Sequence, residues 1–391
     1  MREWLRLTKH LHTLGGNITK LVFGKRGESL SFFIDNRPLY NYNMTMFNPE
    51  YTLTNSLVIN IRKVGELIGE LNSKSFSKTI LFDLESKARI LSSFTSTKIE
   101  GNPLSLTDVK HILQNKLQNI KDMEREVLNY NNAISLLDKK IKNGEVNHIT
   151  NKLVCDVQGV ITKGLLSSSH RAKYRTEPVF VNNPLTGETV YWPPDAKDVR
   201  TLMRDLISFV NNSEGKIDPL IIAGIFHKQC VVIHPFMDGN GRTARLLTKS
   251  LLAKLGVNTF PLFSFENYYN KDITKYFNKV GVIGNYYDIV KDIDFTEWLE
   301  YFVRGILDEL KRINNYLPQY NKRLESHEKK MVKYLRDNGS ISSSEYYKIS
   351  KRARSTRIKD FRELTDRGII KSVGQGKSTY YVLEDDYSYF E

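Results

Sequence analysis

Cysteine is nearly absent: 391 residues hold two, Cys155 and Cys230. Two cannot build a disulfide framework, and the reading is of buried thiols in a reducing cytoplasm. Long apolar runs are also missing. No stretch reaches the roughly 18 apolar residues of a membrane span, so no membrane association is expected. The opening residues, "MREWLRLTKHLHTLGG", are too broken by charge for a signal peptide. No repeat or low-complexity tract stands out. A Walker A loop is excluded because its Gly-Lys-Ser/Thr is missing. His227 and His234 lie too far apart for the i, i+4 pair of a zinc protease, and His227 reads as a core or interface residue.

What is present is ordinary in bulk and unusual in charge. The chain is 40% hydrophobic and 26% charged, enough for a real core and for two or three domains. Its formal net charge is +14, which favours polyanionic or phosphorylated partners. Residues 1 to 60 carry no clear period. From Ser56 the pattern is helical, with Leu57, Ile61, Val64, Leu67 and Leu71 on one stripe. Helical segments continue to a Gly-Asn stop at 101–102. Another helix starts at a Ser105 or Thr107 cap, and further ones follow. "KYRTEPVFVNNPLTGETVYWPP" breaks the series with two short β-like runs around a turn, a hairpin. Helices resume, one with Gly256 as its stop, and a long amphipathic one lies near 295–317. From 325 the order of three helices and a hairpin resembles a winged helix-turn-helix.

The densest chemistry lies in "VVIHPFMDGNGRTARLL". If a helix begins near Gly239, the backbone amides of Gly239, Asn240, Gly241 and Arg242 are the unpaired donors of its first turn. With the helix dipole they form an anion site, and the glycines let a phosphate approach. Asn240 adds a side-chain donor. Arg242 and Arg245 share a face one turn apart and reach successive phosphates. Asp238 stands where it can hold a Mg²⁺ ion bridging them. His234 has the titration range of a base beside a phosphorus centre.

Residues His234 to Arg245 resemble the Fic-domain signature H-x-F-x-[D/E]-G-N-G-R-x-x-R at every fixed position. The resemblance covers about residues 40 to 310. It implies a protein adenylyltransferase that moves AMP from ATP onto a hydroxyl of a target protein. It makes His234 the general base, Asp238 the Mg²⁺ ligand and Phe236 an anchor of the loop. Gly239, Asn240, Gly241 and Arg242 become the phosphate cradle, and Arg245 the γ-phosphate ligand. Upstream, Ser96-x-x-x-Glu100-Gly101 resembles the family's inhibitory motif, in the class with an N-terminal inhibitory helix. A carboxylate paired with Arg245 withholds the cation meant for the γ-phosphate. The hairpin at 174 to 192 resembles the flap that holds a target segment by strand addition. In "FENYYNKDITKYF", Tyr276 is the candidate adenine contact with Tyr268 behind it. Here the chain departs from the family, having Tyr276-Phe277 for two adjacent tyrosines.

The expected fold is mainly α: a Fic-type helical bundle with a β-hairpin flap, and a C-terminal winged-helix domain. The expected divisions are 1–105, ending in the inhibitory helix; 106–315, the Fic core; and 325–391, the winged helix. Lys351, Arg352, Arg354, Arg357, Lys359 and Arg362 read as a recognition helix for duplex DNA, with Lys377 in the wing. A homodimer is left open. Two other functions remain open: a DNA-binding regulator with a nucleotide-sensing core, and a Fic enzyme that removes AMP or transfers another phosphate-containing group.

Overall fold

The computed structural model describes all residues except 1–20, 27–28, 35–46, 73–77, 116–117, 147, 183–185, 255–263, 317–323, 368, 375 and 384–391. The expected stops at Gly256 and Gly368 therefore lie outside the described residues. The chain forms two units, Met1–Met46 and Phe47–Glu391. In the first, β1 (Leu21–Arg26) and β2 (Ser29–Ile34) pair as an antiparallel hairpin.

The second unit is mainly helical. α1 (Asn55–Asn72) buries Leu57, Val64 and Leu71, the stripe seen in the sequence. α2 (Lys78–Ile99) differs, because its inward face is polar: Ser92, Ser93, Thr95 and Ser96 are all fully buried. α3 (Leu106–Gln114) starts in a capping box, where Ser105 and Asp108 satisfy each other's backbone N–H. α4 (Asp122–Lys142) and α5 (Asn151–Ile161) follow.

Then β3 (Val181–Asn182) and β4 (Thr189–Trp192) pair antiparallel. α6 (Ala196–Asn212) leads to α7 (Pro219–Ile233), which opens with an Asp218 cap and a proline in its first turn. α7 is apolar and buried on nearly every face, the mark of a central helix. α8 (Asn240–Lys254) packs on it. The segment "FENYYNKDITKYF" is two helices, α9 (Phe265–Lys271) and α10 (Ile273–Val280), because Asp272 caps the second. β5 (Gly284–Asn285) adds a parallel third strand beside β4, so β3 lies at an edge. α11 (Tyr286–Ile289) precedes α12 (Thr296–Tyr316), which packs along α1.

The last part has its own core, with Met331, Leu335, Ile341, Tyr346, Phe361, Leu364 and Ile370 buried together. Its order is α13 (Ser326–Asn338), β6 (Ile341–Ser342), α14 (Ser343–Ser350), α15 (Arg354–Asp366), β7 (Ile370–Val373) and β8 (Tyr380–Leu383). The strands form one sheet in the order β6-β8-β7.

The basic helix is shorter than expected. Lys351 ends α14 in a left-handed conformation, and α15 starts only at Arg354. Arg352 is held 2.8 Å from Asp360. Arg357 donates to the Arg352 carbonyl at 2.7 Å and lies over the Tyr347 ring. These two arginines brace the turn before α15, which leaves Arg354, Lys359 and Arg362 exposed on the helix. Among the described residues, no helix is long and apolar enough to cross a membrane.

Candidate active site

Pro235 decides where α7 ends. The residue before a proline is disfavoured in the right-handed helical region. His234 accordingly takes left-handed values, φ 50° and ψ 61°, as the helix C-cap. That conformation costs a non-glycine residue about 1–3 kcal/mol and persists only where neighbours enforce it. Arg175 is one such neighbour. It is 3% exposed and donates to the carbonyls of His234 (2.8 Å), Glu177 (3.2 Å) and Pro194 (2.5 Å). Its own N–H donates to the Pro235 carbonyl at 2.9 Å. No motif or period in the sequence marks Arg175.

The His234 ring places Nδ1 3.2 Å from the Val231 carbonyl. A carbonyl only accepts, so the neutral ring carries its proton on Nδ1 and keeps a lone pair on Nε2. Burial lowers its pKa below the ordinary value of 6.5, against the opposing effect of the Val231 bond. At pH 7 the imidazole is therefore neutral and able to accept a proton.

The loop after His234 is stapled from within. Phe236 is fully buried, its ring centroid 5.5 Å from that of Tyr174. The Asn240 side chain accepts from the Phe236 N–H and donates to the Phe236 carbonyl, both at 2.8 Å. This corrects the expectation that the Asn240 amide is a phosphate donor. Its oxygen and one of its two amide hydrogens are engaged by the loop, and the side chain is buried there. Gln158, which the sequence also left unmarked, donates to the Asp238 carbonyl at 3.1 Å.

Two glycines are required for separate reasons. Gly239 has φ 79°, which favours glycine over any side chain. Gly241 has no such torsion, but a Cβ there would collide with the Glu100 carboxylate. Glu100 thus stands directly over the first turn of α8, where the free amides and the helix dipole attract negative charge.

Arg245 is fully buried and lies at the centre of this contact. It donates to Ser96 Oγ at 2.9 Å, the Ser96 carbonyl at 3.0 Å and Glu100 Oε1 at 2.7 Å. Ser96, in the last turn of α2, and Glu100, just past its end, are four residues apart, so both reach one guanidinium. Burial opposes ionisation of Glu100, but Arg245 and then Arg242 outweigh it and hold the carboxyl below its ordinary 4.5. A depressed carboxylate stabilises the fold fully above that ordinary value. The contribution is lost as pH falls through the lower, folded one.

Tyr276 occupies a different place from the one expected. It is 1% exposed, with its hydroxyl 3.1 Å from His227 Nε2 and 3.4 Å from Arg245 Nη1. It stacks on Tyr269 at 4.4 Å inside an aromatic cluster with Trp298. This is a core position under Arg245, because α10 turns that face inward. Tyr268 packs against Tyr301 on α12.

Arg242 is 3% exposed and is held between two acids. Its Nη2 lies 3.2 and 3.1 Å from the two oxygens of Asp238, and its Nη1 lies 3.3 Å from Glu126. The Asp238 side chain is 51% exposed. One exposed carboxylate beside an anion-binding helix end fits a Mg²⁺ ion, which takes one or two protein carboxylates and completes its shell with phosphates and water. Among the described residues there is no cluster of three or more His, Cys, Asp or Glu, so no all-protein metal cage.

Known proteins resemble this chain in sequence and in fold. Residues 148–252 match the model of the Fic/DOC family. The chain is 25% identical over 236 residues to a protein adenylyltransferase Fic of Aedes aegypti, covering 56% of this chain and 45% of that protein. It is 28% identical over 201 residues to the protein adenylyltransferase fic-1 of Caenorhabditis elegans, covering 50% and 38%. It therefore spans about half or less of these relatives' length. A crystal structure of a Fic family protein from Desulfovibrio desulfuricans superposes with a TM-score of 0.58 at 20% identity, over 87% of this chain and 99% of the other. The Fic-1 structure from C. elegans gives 0.54 at 22%, over 67% and 72%. The chain therefore has the mainly helical fold of these Fic proteins, and its homologues are named protein adenylyltransferases.

Proposed function

We propose that this chain is an ATP- and Mg²⁺-dependent protein adenylyltransferase held at low activity by Glu100. The observation that carries this reading is the His234 imidazole, with Nδ1 at the Val231 carbonyl, beside the N-terminus of α8, whose first two turns carry Arg242 and Arg245. Phosphates of ATP sit over Gly239, Gly241 and the α8 amides, with Arg242 and Arg245 as cations. His234 Nε2 takes the proton of a target hydroxyl. The hydroxyl oxygen bonds to the α-phosphorus, and the bond to the departing pyrophosphate breaks. Asp238 would hold a Mg²⁺ ion, which would supply charge neutralisation on the phosphates. Tyr276 acts through Arg245, by fixing the guanidinium from beneath. The target segment lies along 174–192, where the edge strand β3 offers backbone groups for pairing.

The test is label transfer. Incubation with α-labelled ATP and Mg²⁺ is expected to label the protein itself or a target, whereas γ-labelled ATP leaves no label. Mass spectrometry of lysate proteins then identifies which carry AMP. Absence of α-label under every Mg²⁺ condition, including in the Glu100→Gly variant, would exclude the reading.

We propose further that the separate core at 325–391 is a winged helix that contacts duplex DNA through Arg354, Lys359 and Arg362, the cations left exposed on α15. Binding should weaken steeply with salt. The triple charge reversal of those residues should lower the affinity of the full chain by at least about tenfold at low salt, since each is a phosphate contact. An unchanged binding isotherm would remove the assignment.

A further inference from the structure

Glu126 lies outside the motif and outside the inhibitory helix, yet it touches both. One of its oxygens lies 3.3 Å from Arg242 Nη1. The other accepts from Asn102 Nδ2 at 2.8 Å. Asn102 is 5% exposed and belongs to the turn that ends α2, two residues after Glu100. Its orientation is fixed on both sides: Oδ1 accepts the Leu104 N–H at 3.1 Å, and Nδ2 also donates to the Met123 carbonyl at 2.9 Å. Backbone bonds from Glu100, Gly101 and Asn102 return to Thr97 and Lys98 and close the turn. A continuous chain of polar contacts therefore runs from the Glu100 turn through Asn102, Glu126 and Arg242 to Asp238.

We propose that Glu126 is a positioning residue with two arms. One arm holds Arg242 for the phosphates, and the other fastens the end of the inhibitory helix. The proposal rests on the nucleotide reading above for its first arm only. Arg242 is almost wholly buried, and a buried guanidinium needs a counter-charge. In this structure Asp238 and Glu126 share that task. A carboxylate that turns to a divalent cation no longer neutralises Arg242. Glu126 is the acid that remains within ion-pair distance, Glu100 acting on Arg242 from further away, and it keeps the guanidinium facing the α8 terminus. Because the same side chain grips Asn102, the site and the inhibitory turn are joined by one residue. Sequence position alone does not reveal the link. Glu126 lies on the α4 face that also buries Tyr130 and Ala133, so it reads as the polar edge of an amphipathic helix.

Two substitutions separate the arms. Asn102→Ala removes only the latch. Glu126→Gln retains an acceptor for Asn102 and removes the charge from Arg242. Backbone hydrogen exchange is measured on the full chain, together with Mg-ATP affinity. Asn102→Ala is expected to speed exchange at 100–102 by about tenfold, with the amides at 239–243 unchanged. Glu126→Gln is expected to leave 100–102 nearly as in wild type, to speed exchange at 239–243, and to weaken Mg-ATP binding by about tenfold or more. Two results overturn the proposal: unaltered exchange at the turn in Asn102→Ala, or unaltered exchange and affinity at the cradle in Glu126→Gln. If wild type and Glu100→Gly bind no nucleotide, the nucleotide reading fails, and exchange at the two segments still decides both arms.

Discussion

Glu100→Gly is expected to raise transfer of α-label by about tenfold or more while lowering thermal stability. Both effects follow from one contact. Arg245 is fully buried and meets the Glu100 carboxylate at 2.7 Å. Charge-assisted bonds of this kind contribute about 1.5–3 kcal/mol, so a competing phosphate must first displace the carboxylate. Removing it frees the guanidinium and clears the space over Gly241. The same removal leaves Arg245 with Ser96 and Tyr276 as its remaining partners, which accounts for a loss of about 1–3 kcal/mol. Activity and stability should therefore move in opposite directions, measured by label incorporation and by thermal unfolding. A variant that is less stable and no more active would show that Glu100 is only a structural counter-ion.

The sequence made the candidate site loop legible because its chemistry is local. His234, Asp238, the glycines and the arginines lie within one turn and one helix start, so spacing alone places them together. The period of three and four marked α1, and the cap at Ser105 marked a helix start. What stayed hidden is the support that arrives from far along the chain. Arg175 reaches the His234 carbonyl from 59 residues away, and Glu126 reaches Arg242 from another helix. Neither sits at a spacing that a one-dimensional pattern can report. Asn240 shows a different limit. Its residue type fits a phosphate donor, but a short loop behind it competes for the same amide and wins by proximity. Tyr276 reads from the sequence as the candidate adenine contact because aromatic residues look alike there whether they line a site or fill a core. The Asp272 cap, which restarts the helix and turns Tyr276 inward, decides between the two.

His234→Ala, placed in the Glu100→Gly background, is expected to abolish label transfer while sparing ATP binding. The base contributes only when a proton leaves the target hydroxyl, and general-base catalysis supplies about a hundred- to ten-thousandfold. None of the groups proposed to hold phosphate depends on the ring: the cradle amides, Arg242 and Arg245 are positioned by Asn240, Asp238, Glu126 and Ser96. Mg-ATP affinity should therefore change little. The pH profile gives an independent check with a definite sign. Burial lowers the His234 pKa below 6.5, so the imidazole stays in its base form at and somewhat below that value. Transfer by Glu100→Gly should be level through neutral pH and fall only on an acid limb lying below 6.5, with slope near one proton. An acid limb centred above 6.5 would mean that a different group gates the reaction. Equal loss of ATP binding and transfer in His234→Ala would mean that the ring holds the loop and not the proton.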